Sequence, residues 1–345
     1  MHSRTLSILY PALRWLIVNR LQKSLDWQEF QCRGDKGFDQ AATSLSQSQT
    51  QSQSLGGQYS EFQAIPLNRI KLANELANEL EYVSALAFKL QSLQAQPALL
   101  LAQKIAANLA LPTWFEPSSP ANLWTERIWR HVVISVRPPG WIHLRLKHAG
   151  VAEWLQGLAS DSGGVGSQEL GVRSQASQSV SRRELGASGF DHHASEIFAA
   201  MHAHARCCSL LRWAAQEKLI QIAVGEAGGE AGTEAVLELK QPIPWLDANQ
   251  MLRGQASEWN LILQISDTLD NLAQPQTAQQ TLKVLANLSQ AFQVFHAQSR
   301  IWGDDRRRDP APELVQVRLG LMLITQKILH CLLTQSLSLK SPSDL

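Results

Sequence analysis

The chain has 345 residues, of which 44% are hydrophobic and 18% are charged, so it is long and apolar enough for two or three domains with cores of their own. Its 31 Lys and Arg residues almost cancel its 30 Asp and Glu residues, which excludes a strong overall field that would gather anionic partners. The four cysteines have no CxxC spacing, which argues against a disulfide scaffold and favours a reduced, cytoplasmic location.

The first apolar stretch, TLSILYPALRWLIV, is interrupted by a proline and an arginine. It is shorter than the roughly 18 apolar residues that a membrane span needs. We therefore expect an amphipathic helix over about residues 6–25, within an N-terminal extension formed by residues 1–42, and no membrane or export role. Residues 43–60 are a low-complexity Gln/Ser linker with almost nothing to bury.

Residues 61–160 are predicted to form a small α/β module. Apolar repeats early in this block predict helices, and HVVISV (131–136) and WIHLRL (141–146) are typical of strands joined by a Pro-Gly turn. Polar and aromatic residues alternate with Ile and Leu in WIHLRL, which is the period of a half-buried strand. We therefore expect Trp141 and His143 on its exposed face.

The remaining sequence predicts a linker and a bundle. Residues 161–192 are rich in Gly, Ser and Gln and are typical of a flexible linker. In the last block, residues 193–345, apolar residues recur at helical steps within segments 285–301 and 314–331. The second segment is apolar over so much of its circumference that it belongs in the middle of a bundle. The expected fold is therefore α+β, with a small α/β module joined by a disordered linker to an all-α bundle.

One short run, MHAHARCCSLLRWA (201–214), concentrates residues that can carry chemistry. On a helix, its apolar positions and His204 fall on one stripe, which we expect to be buried. A second stripe and its border carry the candidate ligand-facing residues: His202, Arg206, Arg212 and Trp213.

The same run does not predict a metal or nucleophile site. His202 and His204 project roughly 200° apart on a helix and cannot chelate one ion together. His204, Cys207 and Cys208 lack a fourth ligand nearby, and a Cys–His nucleophile pair would need an orienting group and a cleft. We expect no metal and no cofactor, which leaves a ligand-facing stripe or a solvated helix face.

The run at 200–214 resembles the start of the DALR anticodon-binding domain of arginyl-tRNA synthetases, whose helix carries Tyr-Ala-His-Ala-Arg; here His202 replaces the tyrosine. LANLSQAFQVFHAQSRI is similar to a later helix of that domain, with His296 in place of a second tyrosine and Arg300 matching its arginine. Residues 315–345 resemble the terminal stretch of the same domain.

The first block is similar to the N-terminal additional domain of the same synthetases. The segments that carry this resemblance are YVSALAFKL (82–90), PALLLAQKIAANL (97–109) and VISVRPPGWIHLRL (133–146). The last resembles a strand, Pro-Gly-Phe-Ile-Asn, strand signature in which Trp141 and His143 replace Phe and Asn.

The catalytic domain that this family carries between the two blocks is missing. Only residues 159–192 lie there, whereas a single βαβ unit takes roughly thirty residues and a nucleotide-binding sheet needs several. Neither a His-x-Gly-His nor a Lys-Met-Ser-Lys-Ser sequence is present. The chain would be labelled an arginine–tRNA ligase by family, but ATP activation of arginine has no site.

The resemblance implies a non-catalytic paralogue that binds the anticodon stem-loop and elbow of tRNA, with arginine isoacceptors as the first candidates. Unpaired bases are held by stacking and by hydrogen bonds to base edges. The candidate contacts are His202, Arg206, Arg212, Trp213, His296, Arg300, Arg306, Arg307, Arg308, Trp141 and His143. Arg318 is expected to be a structural hydrogen-bonding residue instead.

Two alternatives remain open. Residues 193–345 carry 13 Lys and Arg against 15 Asp and Glu, whereas RNA-binding domains usually show a basic patch. This balance favours a protein-interaction scaffold, or a subunit that presents tRNA to a modification enzyme. The other alternative is an accessory chain of a ligase whose catalytic domain is a separate polypeptide.

Overall fold

A computed structural model describes residues 12–34, 65–70, 79–94, 96–110, 120–160, 193–220, 222–224, 237–239, 242–274, 276–299, 310–339 and 341–342. Within this part of the chain the fold is mixed α/β, with nine α-helices and a four-stranded antiparallel sheet. The predicted linkers at 43–60 and 161–192 lie outside the described residues. We refer to residues 12–160 as the N-terminal half and to residues 193–342 as the C-terminal half.

The N-terminal half is built around the four-stranded sheet. Its elements are Leu13–Gly34 (α1), Leu67–Ile70 (β1), Leu80–Ser84 (β2), Leu86–Gln94 (α2), Ala98–Ala110 (α3), Pro120–Trp129 (α4), Val132–Arg137 (β3), Trp141–Leu146 (β4) and His148–Ala159 (α5). The strand order is β1-β2-β4-β3 with every neighbouring pair antiparallel. The two strands predicted from the sequence are confirmed as β3 and β4.

The turn between β3 and β4 lies against the start of α3. A Cβ on Gly140 would lie 2.8 Å from the Cβ of Ala98, and the backbone at Gly140 has a φ of +156°. A side chain at this position would therefore force the turn away from α3. The Pro-Gly pair that predicted the turn also permits this close approach.

The C-terminal half is helical apart from a small ribbon. Its elements are Ala194–Gln216 (α6), Ile222–Val224 (β5), Leu237–Leu239 (β6), Ala256–Leu272 (α7), Ala278–Gln298 (α8) and Pro312–Cys331 (α9), followed by a π-helical turn over Leu332–Ser336. The antiparallel ribbon β5–β6 corrects the all-α prediction for this block. Its strands are short and rich in Ile, Val and Leu, which favour extended structure, and the Gly-rich sequence between them hid that signal.

Two helix starts follow directly from the sequence. The Thr277 hydroxyl accepts a hydrogen bond from the Gln280 backbone N–H at 3.2 Å, and the Gln280 side chain accepts one from the Thr277 N–H at 2.8 Å. This reciprocal pair satisfies two N–H groups that a helix start leaves without partners. Pro312 is the first residue of α9, where the missing N–H of proline costs nothing.

Helix α9 packs against four other helices, α5, α6, α7 and α8. Its apolar residues are buried on several sides, including Val317, Leu321, Ile324 and Ile328. The stretch Pro312–Ser336 is long and apolar enough to cross a membrane by composition, but 78% of its most apolar window is buried inside the fold. A core helix of a bundle gives the same composition.

Helix α1 belongs to the core rather than to a separate extension. It begins and ends later than the predicted helix at 6–25, and Leu13, Leu16, Ile17 and Leu21 are buried. It packs against both α3 and α7. The sequence assigned residues 1–42 to an N-terminal extension; the described part of α1 packs on both halves, and its apolar face covers the junction between them.

A buried ion pair connects three helices of the C-terminal half. Glu258, in the first turn of α7, accepts a hydrogen bond from Arg318 Nε of α9 at 2.6 Å, and both side chains are almost completely buried. Ser257 and Ser299, at the end of α8, also donate to this carboxylate, at 2.8 and 3.1 Å. The Gln255 backbone N–H completes the set at 2.9 Å. The structural role predicted for Arg318 is confirmed.

The other end of α7 contacts the N-terminal half. The Tyr82 hydroxyl of β2 donates to Asp270 Oδ2 at 2.6 Å, and the Arg14 backbone N–H of α1 donates to Asp270 Oδ1 at 2.9 Å. The buried apolar residues of the two halves form one continuous core cluster. The picture of two modules connected only by a tether is therefore incomplete, because they also pack on each other.

Replacing Arg318 with Met should lower the free energy of unfolding by about 3–5 kcal/mol, because it leaves the Glu258 carboxylate buried with its charge unpaired. Urea denaturation measures the change. The matched control is Arg145→Met, which breaks an exposed pair with Glu79 and should cost at most about 1 kcal/mol. Equal losses in the two variants would contradict the structural weight given to the buried pair.

Asp270 predicts a specific pH dependence of stability. Burial raises its pKa from 3.8 to about 6, against the lowering influence of the Tyr82 hydroxyl and the Arg14 N–H. The folded protein therefore holds this proton more tightly than the unfolded chain does, and the free energy of unfolding falls as the pH rises from about 4 to about 6.

In Asp270→Asn this component of the fall, on the order of 2 kcal/mol, should disappear. Urea unfolding at several pH values between these limits measures it, with Asp247→Asn, in the turn before α7, as the control. A wild-type slope that persists in Asp270→Asn would show that other groups cause it.

Candidate nucleic-acid interface

Helix α6 has one buried and one exposed face, as the three- and four-residue spacing of its apolar residues predicts. His204, Cys207, Cys208 and Leu211 point into the bundle and are buried. The opposite side carries a row at helical spacing, which we call the α6 stripe and in which every residue except the half-buried Ser209 is exposed: Phe198, His202, Arg206, Ser209 and Trp213. The predicted division of this helix into a core face and a polar face is confirmed, and Arg212 is exposed beside the stripe.

Phe198 is the residue of the stripe that sequence reasoning missed. Its side chain is 70% exposed, the largest exposure among the exposed large hydrophobic residues of the described part of the chain. A phenylalanine in an apolar run is usually expected in the core, so composition alone hid it. Its position, four residues before His202, is the signal that would have placed it on the stripe.

Helix α8 extends the stripe with one half-buried histidine. Burial lowers the pKa of His296, and the positive charge of Arg206 lowers it further. The influence of Arg206 on the pKa of His296 links two residues that the sequence nominated on different helices. Because a lowered pKa disfavours protonation, the neutral form of the His296 ring is favoured, and this form can donate one hydrogen bond and accept another.

His204 has an internal role. Its Nδ1 lies 2.8 Å from the Pro342 carbonyl oxygen, and its Nε2 lies 3.0 Å from the Gln326 side-chain amide of α9. The Cys208 sulfur lies 3.9 Å from both ring nitrogens. These contacts attach the chain after α9 to the bundle.

The cysteines of α6 are equally enclosed. Burial raises the pKa of the Cys207 thiol well above its ordinary value, and the neighbouring Cys208 adds to the effect, so the thiol stays protonated and is a poor nucleophile. No group of three or more His, Cys, Asp or Glu side chains is placed to hold a metal ion within the described residues.

The candidates on the sheet module differ from each other. Trp141 is 40% exposed and makes an edge-on contact with Phe88 of α2, with ring centroids 5.0 Å apart. His143, predicted on the exposed strand face, is instead buried, with its Nδ1 2.6 Å from a Glu81 carboxylate oxygen on β2. Strand pairing places Glu81 beside this face, which the alternation within β4 alone does not reveal. Trp141 therefore remains accessible to a ligand, and His143 does not.

The other four candidate residues lie outside the described part of the chain: Arg300, Arg306, Arg307 and Arg308. Their assignment as RNA contacts stays a prediction from the sequence.

No protein-family model, curated protein or solved structure matches the chain. The accessible candidate residues that the structure describes are those of the α6 stripe with Arg212, His296 and Trp141.

The stripe offers two kinds of contact to a ligand. Phe198 and Trp213 present aromatic rings, and Arg206 presents a guanidinium between them along the helix. From Phe198 to Trp213 the helix rises by about 22 Å at 1.5 Å per residue. Rings and guanidinium groups along an exposed helix suit unpaired bases, because every base has a face that stacks.

The electrostatic influence of Arg206 on His296 can be tested directly. In Arg206→Ala the pKa of His296 should rise, because one of the two causes that lower it is removed. NMR titration of the histidine ring protons measures the pKa, with Arg130→Ala, on the turn after α4, as the control of equal charge. A His296 pKa that is identical in all three proteins would show that the two side chains do not interact.

Proposed function

We propose that this chain is a non-catalytic, tRNA-binding relative of arginyl-tRNA synthetases. In this proposal the anticodon stem-loop lies against the α6 stripe and His296, and the elbow of the tRNA lies near Trp141. The observation that carries the proposal is the α6 stripe, because an exposed phenylalanine, tryptophan, histidine and arginine share one face of a helix. Arginine isoacceptors are the first candidate ligands, on the strength of the sequence resemblance.

Ion pairs inside the fold make two side chains unavailable for RNA binding. His143 is paired with Glu81, and Arg318 is paired with Glu258. Using either side chain to bind RNA would leave a buried carboxylate unpaired, at a cost of several kcal/mol by general experience with buried ion pairs. Among the described residues, the proposal therefore assigns recognition to His202, Arg206, Arg212, Trp213, His296 and Trp141, with Phe198 added.

The proposal gives the protein no ligase activity of its own. The two halves are separated in sequence by residues 161–192, which is too short for a nucleotide-binding sheet with its helices. The function is therefore binding, either to sequester tRNA or to present it to another enzyme.

The charge of the surface limits how tightly RNA is held. Within Ala194–Gln216 the cations are Arg206 and Arg212, so we expect few phosphates to be neutralised by this helix and most of the binding energy to come from stacking. The logarithm of the binding constant should then fall only shallowly with the logarithm of salt concentration, by about 0.7 per phosphate contacted.

One observation favours a second candidate function, a protein-interaction scaffold. The exposed face of α8 is dominated by uncharged amides, and Lys283 is the one Lys or Arg among the described residues of this helix. The amide side chains are those of Gln279, Gln280, Asn287, Gln290, Gln293 and Gln298. Such a face suits a protein partner at least as well as a phosphate backbone. The test is therefore designed to separate the two functions.

The decisive experiment is a binding assay with total tRNA at several salt concentrations, followed by sequencing of the retained RNA. The proposal predicts retention at low salt, with arginine isoacceptors enriched over bulk tRNA. Arg206→Ala should weaken binding about tenfold, within the range of about 1–3 kcal/mol for loss of one arginine contact. Phe198→Ala should weaken it by a similar factor through lost stacking.

The matched control is Arg130→Ala. Arg130 is exposed and lies at the opposite end of the β3–β4 hairpin from Trp141, so this variant removes the same charge away from the proposed surface. If no isoacceptor is enriched at low salt, or if Arg130→Ala and Arg206→Ala weaken binding equally, specific recognition through the stripe is ruled out and the scaffold function is favoured.

A further inference from the structure

The boundary between the two halves of the chain has the composition of a specific binding interface. On one side lie α1, β1 and β2, and on the other lies the C-terminal part of α7. Asp267 and Asp270 are three residues apart and therefore share one face of α7. That face meets Arg69 of β1, Tyr82 of β2 and the start of α1.

We call this contact between α7 and the residues of α1, β1 and β2 the first patch. Its acidic groups are paired with basic groups, and its hydrogen-bond donors are paired with acceptors. Arg69 forms an ion pair with Asp267 at 2.6 Å and donates to the Leu263 carbonyl oxygen at 3.0 Å. Tyr82 contacts both Asp270 and Ser266, at 2.6 and 3.3 Å. The side chain of Arg69 is 9% exposed and that of Asp267 is 32% exposed, so separation of the halves would break contacts that water now reaches only from the Asp267 side.

A second patch lies along α5. The Gln156 side-chain oxygen accepts hydrogen bonds from the Ile243 backbone N–H at 2.9 Å and from Trp245 Nε1 at 3.1 Å. The Lys327 ammonium of α9 is buried and donates to the Ala159 carbonyl oxygen at 2.9 Å, which satisfies a carbonyl at the end of α5. His148 Nδ1 accepts from the Leu252 N–H at 3.0 Å.

Together the two patches contain nine hydrogen bonds or ion pairs between the halves, counted within the described residues. A typical interface between two separate proteins carries about ten. The apolar residues beneath them belong to one continuous core. By both measures the boundary resembles a stable protein–protein complex more closely than the loose contact of two tethered domains.

We propose that the surface formed by α1, β1, β2 and α5 is a self-sufficient binding site for the C-terminal half of the chain. The contacts of the two patches hold the halves together, and the covalent connection through residues 161–192 only raises their effective concentration. The site recognises its partner by the two carboxylates on α7 and by the amide and indole N–H groups at residues 243–245. This proposal does not depend on RNA binding.

The test is to cut the connection in the folded, full-length protein. A specific protease site replaces part of 161–192, the native protein is cleaved, and the product is analysed by size-exclusion chromatography and native mass spectrometry at about 1 µM, where only complexes with Kd below that concentration persist. Co-expression of the two halves as separate chains gives the same product without any need for protease access. We expect a one-to-one complex that elutes like the uncut protein.

A matched pair of variants assigns the complex to the contacts. Asp267→Ala leaves Arg69 without its carboxylate and should raise the dissociation constant of the cut protein at least about thirtyfold. Glu153→Ala removes an exposed pair with Arg127 inside the N-terminal half and should leave the dissociation constant unchanged. Thermal unfolding of the uncut variants checks that both fold.

Separate elution of the two wild-type halves, or aggregation of either one, would overturn the proposal. So would equal dissociation constants for Asp267→Ala and Glu153→Ala. If uncut Asp267→Ala does not fold, Tyr82→Phe, which removes one hydroxyl, takes its place in the comparison.

Discussion

The structure depends on the rule that carboxylates placed in a protein interior must be paired. Helix α7 carries one such group near each end. Glu258 in its first turn has four donors, which come from α7 itself, from the residue before α7, from the end of α8 and from α9. Asp270 in its last turn has Tyr82 and Arg14 from the other half. Because leaving either charge without its partners costs several kcal/mol, α7 fixes the packing of the bundle and the position of the sheet together.

This arrangement separates structural charges from accessible ones. The helices at the centre, α7 and α9, use Glu258, Asp270, Arg318 and Lys327 for internal pairing. The outer helices α6 and α8 keep their amides and the rings and guanidinium of the α6 stripe on the surface. In the described residues of these two helices a ligand therefore meets aromatic rings and amides with four charged side chains, Glu196, Arg206, Arg212 and Lys283. Binding to such a surface relies on stacking and shape more than on attraction over distance.

The sequence predicts best where a single element decides the outcome. Periodicity predicts strands β3 and β4, the two faces of α6 and the burial of α9 on several sides. The position of a charge on an apolar helix predicts the structural role of Arg318. The errors arise where contacts with another helix or strand decide whether a residue is buried. His143 is buried because β2 brings Glu81 beside it, and α1 joins the core because α3 and α7 leave a junction to cover. Periodicity within one element contains no information on these pairings.

The central claim is that RNA lies on the outer helices of the bundle, and photo-crosslinking tests it most directly. The protein is irradiated in complex with arginine-accepting tRNA, and the crosslinked peptides are identified by mass spectrometry. The account predicts adducts within Ala194–Gln216, with further adducts in Ala278–Gln298. Crosslinks confined to other helices, or a complex that yields no adduct in either segment, would contradict it.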